Sequence, residues 1–403
     1  MSEKQTISLK QEIAAPVSQV YRALASAQGL LEWIGDAVEA DPREGGRFYV
    51  WWNAGFYASG TYVHLEKDHK VAFTWRGSTD AEQTRVRVLL EESAAGTMVT
   101  LFHDEVIEPA IEVYTAEWEN SLSNLKSVLE TGVDRRIYDR PMLGFWVGGL
   151  VDEKLQKRLS LPVDYGVHVS GVLEGMGAER SGLMQDDVIA MLDGVEIRRF
   201  PQIGDVLGKF KGGDSINSVV YRGSEKLEIE VELSKRPVPD FPAPPRELAS
   251  SLEQAHKEIL QELKSALADV SEEEAVQKPS EGEWSVKEAL AHLLISERWT
   301  NWALDLHPAG NKFPRYPGDN RTYSALAAVY SLKDLVKELK ATFLITLGLL
   351  ETLPEDYAAN KGAYFLMLND YERGVRRHFE EHNAQIRATI AAVRKAAPEL
   401  ATA

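Results

Sequence analysis

The sequence predicts a multidomain chain in which an α+β domain is followed by a β-rich domain and then by an all-α four-helix bundle. Three observations predict this order. Short alternating segments lead to one long amphipathic helix near residue 132, short strands separated by turns follow from about residue 141, and every pattern after residue 245 is helical. The predicted domains are 1–134, 138–236 and 246–398, with a proline-rich linker at 237–245.

The first domain combines a sheet with two helices. Residues 7–13 alternate between apolar and polar side chains, as in a half-buried strand, and Ala15-Pro16 then marks the start of a helix. A second helix carries apolar residues at helical spacing from Ile111 to Leu129. Between the helices the alternation predicts strands at 47–52, 57–65, 71–75, 84–91 and 97–103. This order predicts a curved antiparallel sheet that grips the last helix.

Several motifs of this segment are similar to one family: Ala15-Pro16-Val17, Leu31-Glu32-Trp33, Gly45-Gly46-Arg47-Phe48, Phe73-Thr74-Trp75 and Trp118-Glu119-Asn120. They resemble the bacterial relatives of the heat-shock-protein-90 ATPase activator, in the SRPBCC (START-like) superfamily. The resemblance covers nearly all of residues 5–132 and implies a helix-grip fold with a cavity for a small apolar ligand. Aromatic residues expected to line that cavity are Trp33, Trp51, Trp52, Phe56, Tyr57, Trp75 and Trp118. The alternative is that they fill a solid core. We predict no catalysis in this domain.

The middle segment carries short strands around glycine-containing turns. Its strongest motifs are Ala178-Glu179-Arg180-Ser181-Gly182-Leu183, Asp186-Asp187-Val188-Ile189 and Leu192-Asp193-Gly194. They closely resemble a PDZ domain of the type attached to HtrA-like proteases, over about residues 138–235. The resemblance implies a carboxylate-binding loop at Leu143, Gly144 and Phe145, and a facing helix that offers Ile203, Val206 and Leu207 to a C-terminal peptide. The alternative is a spacer with an unused groove. No Gly-x-Ser-x-Gly motif or chymotrypsin-like triad accompanies this segment.

In the last domain, two histidines four residues apart, His378 and His382, share one face of a predicted helix, so both rings can reach one ion. His292 lies on the apolar stripe of another helix, which begins at a capping box formed by Ser285 and Glu288. A histidine from one helix and two from another could meet in the core of the bundle. The alternative is that the three histidines hydrogen-bond without a metal.

The stretches 283–294 and 378–386 strongly resemble the DinB family, over roughly residues 246–396. The family's metal-ligand role carries over to His292, His378 and His382. We expect one divalent ion there, with zinc or nickel most suited to three imidazoles. His256 and Glu297 are weaker candidates for a fourth ligand or a supporting partner. The resemblance implies a metal-dependent hydrolase or a transferase of low-molecular-weight thiols, although many relatives have no assigned activity.

Composition narrows the choice of partners. The 403-residue chain has 44% apolar residues, no cysteine and a formal charge of -17, which argues against nucleic acid or an anionic membrane as a partner. The N-terminal residues do not resemble a signal peptide, and we predict a cytoplasmic protein. Two functions compete: a binding or adaptor protein for an apolar ligand and a protein C-terminus, or a metal-dependent enzyme centred on the bundle. The oligomeric state stays open.

Overall fold

The computed structural model describes residues 4–53, 55–108, 110–311, 316, 318–369 and 371–400, with side chains described as far as residue 396. The chain divides into two compact units. One consists of Met1–Trp52, Tyr57–Gly132 and Pro239–Ala403, and the other of Asn53–Phe56 and Val133–Val238. Within the described ranges, no helix is both long enough and apolar enough to cross a membrane.

The N-terminal domain is a seven-stranded antiparallel sheet wrapped around a long helix. The sheet has the strand order β1-β7-β6-β5-β4-β3-β2. Its strands are β1 (Lys4–Ile13), β2 (Ala37–Ala40), β3 (Arg47–Trp51), β4 (Tyr57–Glu66), β5 (Lys70–Gly77), β6 (Thr84–Ser93) and β7 (Gly96–Ile107). The helices are α1 (Val17–Leu24), α2 (Ala27–Leu31) and α3 (Ala110–Thr131). The predicted β-rich helix-grip domain is confirmed.

The core of this domain lies between α3 and the sheet. Tyr114, Trp118, Leu122 and Leu125 are buried along one stripe of α3, as the periodicity predicted. The inward-facing side chains of the strands alternate with exposed ones, so β3 buries Phe48 and not the neighbouring Tyr49. Burial of this apolar stripe is the main force that holds α3 on the sheet.

The second unit contains a five-stranded antiparallel path with a short side branch. Its helices are α4 (Arg135–Tyr138), α5 (Glu153–Leu159), α6 (Gly177–Arg180) and α7 (Phe200–Leu207). Its strands are β8 (Pro141–Met142), β9 (Phe145–Leu150), β10 (Val167–Val172), β11 (Asp187–Leu192), β12 (Val195–Glu196), β13 (Ser215–Arg222), β14 (Glu225–Glu232) and β15 (Ser234–Lys235). The order β14-β13-β11-β10-β9 leaves β9 at one edge.

The C-terminal region is helical, as predicted. Its helices are α8 (Pro245–Ala266), α9 (Glu272–Ala275), α10 (Val286–Leu306), α11 (Asn320–Val329), α12 (Leu332–Glu351), α13 (Glu355–Ala359), α14 (Lys361–Leu368) and α15 (Tyr371–Leu400). Four long helices form a closed ring, because α8 and α10 each pack against both α12 and α15. Leu290, Leu294, Leu339, Phe343 and Ile386 lie in the buried core of this ring.

Two details of the helical region shape the surroundings of the histidines. The last helical stretch is divided between α14 and α15. Helix α14 ends at Leu368. The next residue, Asn369, has an extended backbone, and its side-chain amide donates a hydrogen bond to the Phe365 carbonyl. The long connection after α10 also holds a helix of its own, α11, capped by Asp319.

Candidate metal centre

Helix α10 begins at the predicted capping box, which positions His292 two turns into the helix. The Ser285 hydroxyl accepts a hydrogen bond from the Glu288 backbone N–H at 3.2 Å, and the Glu288 carboxylate accepts one from the Ser285 N–H at 2.9 Å. This reciprocal pair satisfies two backbone donors at the helix start. The first turn of α10 is therefore held in place, and with it the direction in which His292 projects.

Three histidine side chains from two helices converge inside the bundle. His292 projects from α10, and His378 and His382 project from successive turns of α15. One ligand atom from each lies within 4.8 Å of the other two. The ring centroids are 4.5 Å apart for His292 and His382, and 4.7 Å apart for His378 and His382. One-turn spacing places His378 and His382 side by side on α15. The third histidine, His292, is 86 residues before His378 in the sequence and comes from another helix.

Both His382 and His292 have a polar contact at the outer ring nitrogen, and the contact of His382 selects the tautomer that a metal ion requires. His382 Nδ1 lies 2.7 Å from the Gln385 side-chain oxygen, which has only acceptor capacity and so receives a proton from that nitrogen. His292 Nδ1 lies 3.4 Å from the Tyr316 hydroxyl. The proton on Nδ1 of His382 leaves the Nε2 of this ring with a free lone pair. Sequence reasoning gave Gln385 and Tyr316 no role, although Gln385 follows His382 at helical spacing.

The inner nitrogens lie close to each other. His292 Nε2 and His378 Nε2 are 3.0 Å apart, so a single proton shared between them would form a hydrogen bond. Two lone pairs that face the same point suit a cation equally well. Trp284 packs over the cluster, with its ring stacked on His382 at a centroid distance of 6.0 Å. This indole covers part of the site.

Burial favours the neutral form of two of the three rings, His292 and His378. It lowers the pKa of His292 to about 4, and the neighbouring His382 and His378 reinforce the effect because a second positive charge would be repelled. Burial, followed by His382, also lowers the pKa of His378. Neutral imidazole is the form that binds a metal ion. The three imidazoles and their convergence therefore fit one divalent cation with an open position for water or another small ligand.

Beside the histidines lies a cavity of about 450 Å³. Its walls come from α10, α14 and α15, and His378 forms part of the lining. Glu297 also lines this cavity and is buried beside His256, whose Nε2 is 3.7 Å from the Glu297 Oε1. These two residues, weaker candidates for the metal shell, approach each other and do not belong to the group of converging ligands.

In the N-terminal domain, three of the aromatic residues expected around a ligand are buried and one turns outward. Trp33, Trp75 and Trp118 are all buried, and each indole N–H donates a hydrogen bond within the domain, to Ala23, Tyr114 and His103 respectively. Tyr57 pairs with Trp51 across β3 and β4 and is 42% exposed. Strand alternation places Trp51 on the face opposite Phe48 and Val50. Of the seven expected residues, Trp33, Trp75 and Trp118 therefore lie in the core, whereas Tyr57 is exposed.

The residues of the predicted peptide site lie at the β9 edge and on α7. Leu143 and Val206 are buried, while Phe145, Ile203 and Leu207 are partly buried and pack against the same core. Gly144 has a φ of 87°, and a Cβ there would lie 2.4 Å from the Met176 Cβ, so glycine is required at this turn.

Two family models match separate parts of the chain. The model described as "Activator of Hsp90 ATPase homolog 1-like protein" matches residues 14–130, and that of the DinB superfamily matches residues 255–402.

Among curated proteins, a probable periplasmic DegP-like serine endoprotease of Marinomonas sp. is 28% identical over 108 residues, which cover 26% of this chain and 23% of the relative. A probable periplasmic serine protease of Haemophilus influenzae is 30% identical over 115 residues, covering 28% of this chain and 24% of the relative. The chain thus spans about a quarter of the length of these curated relatives.

Two solved structures align with about a third of the chain. The Aha1 dimer from Colwellia psychrerythraea is 21% identical, covering 31% of this chain and 96% of its own, with a TM-score of 0.29. A Chromobacterium violaceum protein is 25% identical, covering 31% and 97% respectively, with a TM-score of 0.28. The family models show that this chain joins an Hsp90-activator-like domain to a DinB-superfamily domain.

Proposed function

We propose that this chain is a cytoplasmic multidomain binding protein whose C-terminal bundle holds one divalent metal ion on His292, His378 and His382. The observation that supports this most directly is the convergence of three histidine ligand atoms within 4.8 Å. Zinc and nickel suit three neutral imidazoles better than magnesium or calcium, which prefer oxygen ligands. When bound, such an ion lowers the pKa of a coordinated water or thiol.

The chain's own residues orient this site. Gln385 and Tyr316 hold the outer nitrogens of His382 and His292, so that the rings cannot turn freely. Tyr316 is itself held by Ser296 at 2.9 Å and by Tyr323 at 3.1 Å. A connected set of hydroxyl groups, from α10, from the connection that follows it and from α11, therefore supports one ligand before any ion arrives.

The test is a titration of chelator-treated full-length protein with zinc and, separately, with nickel. We expect one ion per chain by calorimetry and a higher melting temperature, since an ion at 100 times its dissociation constant stabilises by about 2.7 kcal/mol. The control His64→Ala removes an exposed histidine of the N-terminal domain and should leave the stoichiometry at one. Absence of both stoichiometric binding and a melting shift with either metal would refute the proposal.

The cavity at His378 favours a second candidate function, that of a metal-dependent hydrolase or thiol transferase. A mainly apolar space beside a metal site with an open position is the arrangement that a small substrate needs. Turnover of an ester, amide or thiol-acceptor substrate should then require added metal and be lost in His382→Ala. Identical turnover by the wild type and this variant would exclude the enzyme.

For the middle segment, with proposed bounds 138–236, we propose capture of a protein's free C-terminus. The supporting observation is that β9 is an edge strand next to the loop Leu143-Gly144-Phe145, and that Trp146 and Val147 on it are exposed. A peptide could add to this edge as a further strand, with its carboxylate at the loop.

The remaining proposed bounds are 1–134 for a domain that binds a small apolar ligand, 237–245 for the linker and 246–398 for the bundle.

A peptide array tests this capture. Peptides with a free apolar C-terminus should bind with micromolar affinity, on the order of 8 kcal/mol, and their amidated forms should not. Equal binding of both forms would contradict a carboxylate site.

A further inference from the structure

The cavity beside the histidine cluster contains a buried acid. Glu297 projects from α10, is 3% exposed and contributes to the lining. Its Oε1 has no hydrogen-bond partner. A buried carboxylate oxygen without a hydrogen-bond partner is unfavourable, so a ligand that donates a hydrogen bond to this oxygen would stabilise the site.

No described neighbouring side chain donates a hydrogen bond to Glu297 Oε1. His256 is equally buried, but its Nε2 is 3.7 Å from Glu297 Oε1, which is beyond hydrogen-bond distance. The His256 ring instead stacks on Phe343, with centroids 3.8 Å apart. Arg298, the next residue on α10, binds Glu338 at 2.8 Å. None of the described residues that line the cavity is a lysine or an arginine.

The remaining walls are mainly apolar or aromatic. Trp299, Leu366, Met367 and Phe379 contribute to the lining. The Tyr371 hydroxyl is buried here, and its pKa is raised by burial and, to a smaller extent, by the negative charge of Glu297. A volume of about 450 Å³ suits a small organic molecule. An apolar space with one anionic group in its wall selects a compound that has an apolar body and one positive charge.

We propose that this cavity binds a small primary amine with an apolar body, whose ammonium group pairs with the Glu297 carboxylate. The ammonium donates hydrogen bonds to the unpartnered oxygen, and the aromatic walls cover the hydrocarbon part. The site adjoins the histidine cluster through His378 but requires no metal for its own chemistry. It is therefore separate from the metal proposal, and the two fail independently.

The experiment compares three matched probes on the full chain by calorimetry: 2-phenylethylamine, 2-phenylethanol and phenylacetate. The amine should bind to chelator-treated protein, the alcohol at least about tenfold more weakly because it lacks the charge-assisted hydrogen bonds, and the anion not measurably. Glu297→Gln keeps the shape of the side chain and should abolish the preference for the amine over the alcohol. Asp305→Asn removes a charge from an exposed position on the same helix and should preserve the preference.

The variants also report on folding and on the metal. Glu297→Gln should melt no lower than the wild type, since it removes a buried charge, and should still bind zinc with the wild-type stoichiometry. Equal affinity for amine and alcohol in the wild type overturns the proposal. So does a preference for the amine that persists in Glu297→Gln, or that is lost equally in Asp305→Asn. Normal zinc binding without amine binding would overturn this inference and leave the metal proposal standing.

Discussion

His103, which is buried in the N-terminal sheet, and His292, which is half-buried in the bundle, share a lowered pKa of about 4 but have different surroundings. In both, burial is the main cause of the shift. His103 Nδ1 accepts from the Trp118 indole at 3.1 Å, and its Nε2 lies 2.7 Å from the Thr84 hydroxyl. Both ring nitrogens therefore have neutral partners. His292 turns its Nε2 toward a second histidine.

The contrast shows that a shifted pKa does not by itself identify a functional histidine. The proton positions around His103 form one directed chain, because the Thr84 hydroxyl in turn donates to the Trp75 carbonyl at 3.1 Å. Such a network is complete and holds the core together. Around His292 the outer nitrogen is partnered and the inner one faces other ring nitrogens, so the arrangement is completed by a shared proton or by a cation.

The largest expected difference between the two sites is in metal binding. His382→Ala leaves two ligands, and its zinc affinity should fall by more than the roughly 10–100-fold that loss of an outer hydrogen-bond partner of a ligand typically costs. His103→Gln should bind zinc like the wild type. Elemental analysis of both purified variants checks this. Retention of full metal content by His382→Ala would remove the distinction, and His256→Ala should resemble the wild type.

Hydrogen-bond partners should separate the two sites next. Trp118→Phe leaves His103 Nδ1 without its donor in a buried position and should reduce the free energy of unfolding by about 1–3 kcal/mol, with zinc affinity unchanged. Gln385→Ala should lower the zinc affinity about 10–100-fold and should change the free energy of unfolding of the metal-free protein little. Urea unfolding and zinc calorimetry on both variants measure the pair of effects. A crossed outcome, in which Trp118→Phe weakens zinc binding, would contradict the assignment.

The pH dependence of stability provides a further comparison of the two sites. Each histidine has a pKa of about 4 in the folded protein and of about 6.5 in the unfolded chain. Between these values the unfolded chain binds more protons than the folded protein. The contribution of each neutral histidine to the free energy of unfolding is therefore complete above pH 6.5 and is lost as the pH falls toward 4. Each contributes a slope of at most about 1.4 kcal/mol per pH unit. His103→Gln should flatten the slope with or without zinc. His292→Gln should abolish the additional slope that zinc introduces, and identical profiles for all three proteins would contradict this origin.

Much of this architecture follows from local sequence. The one-turn spacing of His378 and His382, the capping box at Ser285 and the stripe on α3 are each set by the geometry of a single helix. Strand alternation likewise contained the information that Trp51 faces away from Phe48, although reasoning from aromatic content alone grouped it with the buried tryptophans. Patterns of this kind depend on one helix or strand and can be interpreted without knowing its tertiary contacts.

Only the tertiary structure decided which distant side chains share a space. The approach of His292 to His378 depends on how α10 packs against α15, and Tyr316 reaches His292 from the long connection whose sequence predicts no contact. Glu297 likewise lines a cavity only because α14 and α15 supply the other walls. These two helices are separated by a break in the helical backbone at Asn369. Helical periodicity determines which face of a helix a residue occupies, whereas the neighbour that the face meets is determined by packing of the whole bundle.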